Sequence, residues 1–263
     1  MSCDLHDIGV LVTRPRGQAK ALCDLITAQG GRAIPFPAIA IVPADDLVEA
    51  RMLLQRINDF NLVIFVSPNA VRHGLALMEG GALSAETQVA AVGKGTARTL
   101  AERGVEVDIL PEERFDSEAL LALPELTEVA GMRVLIIRGT GGRPLLADTL
   151  RARGAEVEYA EVYSRRVADG DAGPLIASWQ TQVQIVIATS CEILENLLLI
   201  LGESGGSRLR QTPLVVVSER IQTRARELGC SNIILADEAS DQGLLQAICN
   251  WVKAGGDTQA PDF

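Results

Sequence analysis

The stretch RGTGGRPLL, residues 138–146, has the composition of an anion-binding turn. It directly follows the apolar run VLII at 134–137, which predicts a strand, a glycine-rich turn and a helix opened by Pro144. Free backbone N–H groups in such a turn bind phosphates or carboxylates. The dinucleotide-binding pattern GxGxxG is not met, because Pro144 occupies the position of its last glycine. The turn is therefore a weak nucleotide signal and leaves a carboxylate ligand open.

Small, hydroxylic or basic residues follow several other predicted strands. In doubly wound parallel sheets, ligands bind beyond the carboxyl ends of the strands, where helix N-termini offer free N–H groups. A simpler interpretation competes for each residue, because serines there also serve as N-caps and arginines also form surface ion pairs. The candidate binding residues are Arg14, Ser67, Asn69, Lys94, Thr96, Arg138, Gly139, Thr140, Thr189, Ser190 and Ser218.

Short apolar runs alternate with amphipathic stretches along nearly the whole chain, which predicts parallel sheets covered by helices. Hydrophobic residues make up 48% of the sequence and aromatic residues only 3%, so the cores must consist of Val, Ile, Leu and Ala. That composition is typical of buried parallel strands. The predicted strands are GVLVT (9–13), LVIFV (62–66), VAAV (89–92), VLII (134–137), VQIVIA (183–188) and PLVVV (213–217).

The two halves of the chain resemble each other. The matching segments occur in the same order and at similar spacing, and a link that looks extended occupies equivalent places in each half, at 37–46 and 162–171. Two lobes with a double connection, or two contiguous domains, would both fit this repeat. The matches are 10–15 with 134–139, 64–75 with 186–197, and 89–104 with 214–229.

Composition excludes several classes of protein. The net charge of −10 argues against a general nucleic-acid footprint. No apolar run approaches the roughly 18–20 residues of a membrane span, and the acidic start MSCDLHDIG is unlike a secretory signal. With only His6 and His73, we expect no histidine-based metal site, and we expect residues 254–263 to form a disordered tail.

The cysteines favour a reduced, cytoplasmic protein. They are scattered, odd in number and include no CxxC pair. The five are Cys3, Cys23, Cys191, Cys230 and Cys249.

Taken together, these segments resemble the uroporphyrinogen-III synthase family over roughly residues 8–250. The order and spacing of the motifs, with the internal repeat, carry the resemblance more than any single motif does. The motifs are VLVTRPRGQA, FVSPNAV, VAAVGKGTA, VLIIRGTGGRPLLADTLRARGAEVEYAEVYSRR, IATSCEILENL and VVVSERI.

The resemblance implies an α/β fold of two doubly wound parallel-sheet lobes, flavodoxin-like or Rossmann-like, joined by a two-stranded linker. The active site would lie in the cleft between the lobes. One lobe would comprise residues 1–37 and 168–263 and hold both termini, and the other would comprise residues 42–161. Residues 38–41 and 162–167 would form the linker strands.

The resemblance also implies an enzyme, a cyclising hydro-lyase of tetrapyrrole biosynthesis towards haem, sirohaem or cobalamin-type products. It would convert hydroxymethylbilane to uroporphyrinogen III, with loss of water and inversion of ring D through a spiro intermediate. It implies no metal and no organic cofactor, a monomer, and a transient hand-over of substrate from the upstream deaminase. Tyr163 aligns with the tyrosine that the family places in the cleft, which makes it the expected donor to the leaving group.

Two other interpretations stay open from the residues. A non-catalytic, two-lobed protein that binds an anionic ligand would share the cleft but would not need Tyr163. A nucleotide-dependent transferase would use the turn at 138–144 and would bind nucleotides measurably. Analysis of the porphyrin isomers formed, together with a nucleotide-binding assay, separates the three.

Overall fold

The computed structural model describes residues 3–78 and 83–256. The chain divides into two compact units, of which the first is discontinuous (Met1–Ala40 with Arg166–Phe263) and the second continuous (Ile41–Arg165). Each unit contains a five-stranded sheet. The predicted α/β class, with two mostly parallel sheets, is confirmed.

The predicted apolar runs all overlap strands of the structure. Because β1, β4 and β8 are buried at every residue, they read in the sequence as continuous apolar runs. The strands are β1 (Gly9–Val12), β2 (Arg32–Pro35), β3 (Ile39–Pro43), β4 (Leu62–Phe65), β5 (Gln88–Ala91), β6 (Arg133–Gly139), β7 (Glu156–Val167), β8 (Ile185–Ala188), β9 (Leu214–Val216) and β10 (Ile233–Leu235).

Most helices start at the residues that follow a strand. The longest, α8, is interrupted at Gly202, whose φ of 61° lies in the left-handed region. The helices are α1 (Arg16–Ala28), α2 (Val48–Gln55), α3 (Pro68–Leu77), α4 (Lys94–Ala101), α5 (Ser117–Leu121), α6 (Leu145–Ala152), α7 (Gly173–Gln182), α8 (Cys191–Gln211), α9 (Glu219–Glu227) and α10 (Asp241–Lys253).

The sheet of the first unit has the order β10-β9-β8-β1-β2. All of its neighbouring strands pair in parallel, with Leu11 opposite Val186 and Ile187 opposite Val215. On one side of it, Leu22 and Ile26 from α1 and Leu244 and Ile248 from α10 pack into the same buried cluster. The carboxyl ends of β1, β8 and β9 therefore lie side by side.

The sheet of the second unit has the order β3-β7-β6-β4-β5. A shift in register interrupts the parallel β6–β7 pair, so that Glu161 lies opposite Arg138 and Tyr163 lies opposite Gly139. The boundary between the units falls within β3 and within β7. The assignment of 38–41 and 162–167 as linker strands stays a prediction.

The internal repeat is visible in the order of the strands. By the sequence matches, β6 corresponds to β1, β4 to β8 and β5 to β9, so the series β9-β8-β1-β2 and β5-β4-β6-β7 are equivalent. Ile109 even forms a parallel bridge to Ala90 on β5, where the first unit has β10. Each half of the chain thus contributes strands to both sheets.

A disulfide joins Cys3 to Cys249 on α10, with 5.9 Å between their Cα atoms. The N-terminal segment reaches α10 because Leu5 is fully buried and its N–H donates to the Gln29 carbonyl at 2.7 Å. The expectation of five reduced cysteines is therefore wrong for this pair, since a separation of 246 residues leaves no local motif in the sequence. The three free thiols are those of Cys23, Cys191 and Cys230.

The predicted disordered tail lies mainly outside the described residues. Of residues 254–263, only the first three are described, and their N–H groups bond back to α10: Ala254 to the Asn250 carbonyl at 3.0 Å, and Gly256 to the Trp251 carbonyl at 3.0 Å. The described part of the tail is therefore an ordered end to the helix.

Candidate active site

Seven of the predicted binding residues share one edge of the sheet in the second unit. Because β6, β4 and β5 are adjacent and parallel, their carboxyl ends meet at that edge. We call this group of residues the second-unit edge. Its members are Ser67 and Asn69 before and in α3, Lys94 and Thr96 in α4, and Arg138, Gly139 and Thr140 at the end of β6.

The other four predicted residues lie at the equivalent edge of the first unit. Arg14 follows β1 and forms an ion pair with Asp241 at the start of α10, so the ion-pair interpretation applies to it. Ser190 caps α8, accepting the Ile193 N–H at 3.1 Å. The remaining two are Thr189 after β8 and Ser218 at the N-terminus of α9, whose side chain forms no cap bond.

A pocket of about 200 Å³ opens within the second unit, beside the turn that follows β6. Its lining combines cationic and hydroxyl side chains with the backbone of the glycine-rich turn. The polar lining side chains are Ser117, Arg138, Arg143, Tyr159, Tyr163 and Arg165. Such a lining fits a carboxylate, which accepts hydrogen bonds from both guanidinium and hydroxyl groups.

Arg138 is a buried cation, with 6% of its surface exposed. Its Nε donates to the Gly139 carbonyl at 3.1 Å and lies 3.6 Å from a Glu161 carboxylate oxygen. Its guanidinium stacks over the Tyr159 ring, 4.6 Å from the centroid. Because these contacts fix its plane, Arg138 forms a rigid positively charged wall of the pocket.

Tyr159 lines the pocket, and its hydroxyl is an unsatisfied buried group. Its oxygen is buried and has no hydrogen-bond partner among the described residues. Burying an unpaired hydroxyl costs about 1–3 kcal/mol. A ligand oxygen that displaced the groups covering this hydroxyl would recover that hydrogen bond.

Tyr163 is 4% exposed and packs against backbone. A Cβ atom at position 139 would lie 2.6 Å from the Tyr163 Cζ, so Gly139 is required by the close approach of the ring. The Thr140 N–H donates to the Tyr163 carbonyl at 2.8 Å. The phenolic oxygen lies 3.1 Å from the Ser67 Oγ, so a strand-end hydroxyl and the tyrosine of β7 meet.

Three other predicted residues of the second-unit edge form contacts within the protein. Lys94 Nζ lies 4.7 Å from the centroid of the Phe115 ring. The Asn69 side-chain carbonyl accepts a hydrogen bond from Arg72 at 3.3 Å, and Thr96 is only 4% exposed. Lys94 and Asn69 thus remain at the edge, whereas Thr96 is packed inside.

Local contacts lower the pKa of two titratable groups near the pocket and Tyr163. The Arg143 guanidinium forms two bonds, of 2.8 and 3.1 Å, to Glu118 and so lowers the pKa of that carboxyl. Burial and the nearby Arg72 lower the pKa of His73, whose ring centroid is 5.7 Å from that of Tyr163. At neutral pH the glutamate is therefore charged and the imidazole beside the tyrosine is neutral.

Four of the polar side chains that line the pocket were not among the sequence predictions: Ser117, Arg143, Tyr159 and Arg165. A signal for one of them existed, because the chain has only two tyrosines and both lie on β7. Arg143 is the second arginine of the RGTGGRP stretch itself, so its position beside the glycine-rich turn was a second signal.

Within residues 3–78 and 83–256, no cluster of His, Cys, Asp and Glu side chains is arranged to hold a metal ion. No helix in the same ranges is both long and apolar enough to cross a membrane.

The strand orders, with the second-unit edge and the equivalent edge of the first unit, define an α/β protein with two doubly wound units. A family model described as uroporphyrinogen-III synthase HemD matches residues 20–246. The uroporphyrinogen-III synthase of Salmonella typhimurium is 37% identical over 246 residues, which are 92% of this chain and 100% of the relative. That of Escherichia coli K12 is 35% identical over 245 residues, with the same coverage. The chain therefore belongs to the uroporphyrinogen-III synthase family, enzymes of tetrapyrrole biosynthesis.

Solved structures agree on the fold. A crystal structure of a mutant uroporphyrinogen III synthase from Thermus thermophilus aligns with a TM-score of 0.61 and 17% identity, over 94% of this chain and 99% of that one. The enzyme from Helicobacter pylori aligns with a TM-score of 0.54 and 16% identity, over 82% and 91%. At these identities the likeness concerns the fold alone.

Proposed function

We propose that this chain cyclises hydroxymethylbilane to uroporphyrinogen III, losing water and inverting ring D through a spiro intermediate. The linear substrate also closes without an enzyme, but to the uninverted isomer. The protein must therefore orient a flexible polycarboxylate and help a hydroxide to leave. Neither task requires a metal or an organic cofactor.

The observation that carries the proposal is the pocket beside the Arg138–Gly142 turn. We propose that it binds one carboxylate arm of the tetrapyrrole. Buried Arg138 supplies a cation, Arg143 lines the same pocket, and the Tyr159 hydroxyl has no hydrogen-bond partner among the described residues. The first-unit residues Thr189, Ser190 and Ser218, and Lys94 and Asn69 of the second-unit edge, are proposed to bind further arms.

We propose Tyr163 as the proton donor to the departing hydroxide. Its phenol lines the same pocket as the arginines and lies within hydrogen-bonding distance of a second hydroxyl. A positioned general acid contributes about 10²–10⁴-fold to a rate, and a phenol is acidic enough to protonate a hydroxide leaving group.

We further propose a cytoplasmic monomer that receives its substrate from the upstream deaminase by transient hand-over. In the cytoplasm, reducing systems hold most cysteines as thiols, so this location implies that the Cys3–Cys249 disulfide seen in the structure is reduced during growth. Thiol labelling in intact cells before lysis reports that state, and light scattering of the purified protein reports its mass. If the upstream deaminase and this protein together form product faster than free diffusion of hydroxymethylbilane between them allows, that result would support hand-over.

The test uses freshly generated hydroxymethylbilane. After oxidation, the type I and type III porphyrins are separated, with and without the protein. A shift to type III supports the proposal, whereas an unchanged type I product in the presence of folded protein refutes it and favours a non-catalytic ligand-binding protein.

Tyr163→Phe then tests the donor, because it keeps the packed ring and removes only the hydroxyl. We expect kcat to fall about 10²-fold, at the lower end of the range for a general acid. Wild-type kcat in this variant would remove Tyr163 from the mechanism while leaving the activity itself established.

A further inference from the structure

The hydrogen bond between Ser67 and Tyr163 raises the question of which oxygen donates. The two oxygens lie 3.1 Å apart, and either can be the donor. Ser67 is also the N-cap of α3, where its Oγ accepts the Ala70 N–H at 3.1 Å. One side chain therefore serves both the helix and the tyrosine.

The chemistry of the cap favours donation by the serine. A hydroxyl has one hydrogen and two acceptor lone pairs, and one lone pair of Ser67 is already used by Ala70. Accepting that N–H at the positive end of α3 polarises the serine O–H, which becomes a better donor and a poorer acceptor. The Ser67 hydroxyl is then the donor, and its hydrogen points to the Tyr163 oxygen.

This direction matters for the proton of the tyrosine. If Tyr163 donated to Ser67, its only hydrogen would be committed to the protein. If Ser67 donates, the phenolic hydrogen is free for a group in the pocket, and the oxygen left after proton transfer keeps a hydrogen bond. The neutral His73 ring, whose pKa burial lowers, adds no positive charge beside it at neutral pH.

We propose that Ser67 is a positioning residue that aims the Tyr163 proton at the leaving hydroxyl and stabilises the resulting phenolate. This inference rests on the proposed function. The C–O bond of the hydroxymethyl group breaks with its electron pair on oxygen, and that oxygen takes the Tyr163 proton and leaves as water. The proton that the pyrrole N–H then gives up returns to the phenolate through solvent.

A double-mutant cycle tests the coupling, with kcat, KM and the isomer ratio measured for Ser67→Ala, Tyr163→Phe and the double variant. Losing a hydrogen bond to a developing charge costs at least about tenfold in rate. We expect Ser67→Ala to lower kcat by about that factor with little change in KM, and to add no further loss to Tyr163→Phe. An equal loss from Ser67→Ala in both backgrounds would overturn the proposal.

Two further variants separate positioning from helix capping. Ser67→Asp keeps a cap acceptor but has no hydroxyl to donate, so stability is expected to hold while kcat falls at least as far as in Ser67→Ala, because the carboxylate also repels a phenolate. Ser67→Thr keeps both functions and is expected to restore kcat. Wild-type kcat in the aspartate variant, or failure of the threonine variant to restore it, would refute the role of the hydroxyl.

Ser240→Ala is the matched control, because Ser240 caps α10 in the same way, accepting the Gly243 N–H at 3.0 Å, and has no tyrosine partner. It is expected to lose a similar amount of stability and to keep its kcat. A fall in kcat equal to that of Ser67→Ala would show that cap loss alone explains the effect. Type III formation by the wild type is measured in the same series, so failure of the activity is distinguished from failure of this coupling.

Discussion

Reduction of the Cys3–Cys249 disulfide is expected to destabilise the first unit. The bond closes a loop with a sequence separation of 246 residues, for which loss of chain entropy in the unfolded state corresponds to about 5 kcal/mol at 25 °C. Measured values for disulfides are typically about 2–4 kcal/mol. With a denaturant slope of about 3 kcal/mol per molar urea, a loss of about 3 kcal/mol lowers the midpoint by about 1 M.

Intrinsic fluorescence reports on this unit selectively. Both tryptophans of the chain, Trp179 and Trp251, belong to the first unit, and Trp179 is only 3% exposed. Urea unfolding followed by tryptophan emission, with and without dithiothreitol, therefore measures the effect where the bond lies. Counting thiols in the denatured, unreduced protein gives three if the bond is formed and five if it is not, because three of the five cysteines are free.

Two variants complete the test. Cys249→Ser removes the bond and is expected to unfold at the same urea concentration with and without reductant. Cys23→Ser removes a free thiol and is expected to keep the full response. A midpoint that does not respond to reductant in the oxidised wild type would refute the reasoning that the cross-link limits the unfolded chain.

Two other predictions concern the surroundings of Tyr163. Gly139→Ala places a Cβ 2.6 Å from the Tyr163 Cζ, so we expect the free energy of unfolding in urea to fall by about 1–3 kcal/mol and kcat to fall as low as in Tyr163→Phe. Gly17→Ala is the control, because position 17 on α1 faces open space. Wild-type stability and kcat in Gly139→Ala would contradict the packing. Because burial lowers the pKa of His73 below its ordinary 6.5, the unfolded chain binds a proton there more readily, and stability falls as the pH drops below about 6.5 towards the folded-state pKa. Urea midpoints between about pH 5 and pH 8 are expected to depend less on pH in His73→Gln, and an unchanged pH dependence would argue against the imidazole as the source.

The strands that the sequence predicted best are those whose burial is uniform. Leu62–Phe65 and Ile185–Ala188 are covered on both faces, so the pattern along the chain is unambiguous. By contrast, β2 was not predicted: its four residues are partly or fully exposed, and its short pattern RAIP resembles a loop. Local burial thus leaves a local signal, whereas an edge strand depends on the neighbour with which it pairs.

The candidate site shows the same division. Glycine-rich turns and helix N-termini leave a signal in a short stretch of sequence, so most residues of the second-unit edge and of the equivalent edge of the first unit were predictable. The contacts that give them chemistry are not local: Ser67 and Tyr163 are 96 residues apart, and Arg14 and Asp241 are 227 apart. Such pairs depend on sheet order and register, including the shift between Arg138 and Gly139, which no segment of the sequence encodes by itself.

The interleaved strand order also affects synthesis on the ribosome. Residues 41–165 form a continuous unit, so their sheet has nearly all of its strands before the rest of the chain has been made. In the first unit β1 lies at an inner position, and its neighbour β8 is synthesised more than a hundred residues after it. Until then β1 has an unpaired edge and an uncovered apolar surface, a state open to aggregation or chaperone binding. A chain truncated before Ile185 and released from the ribosome would therefore contain every strand of the second unit's sheet but only part of the first unit's sheet.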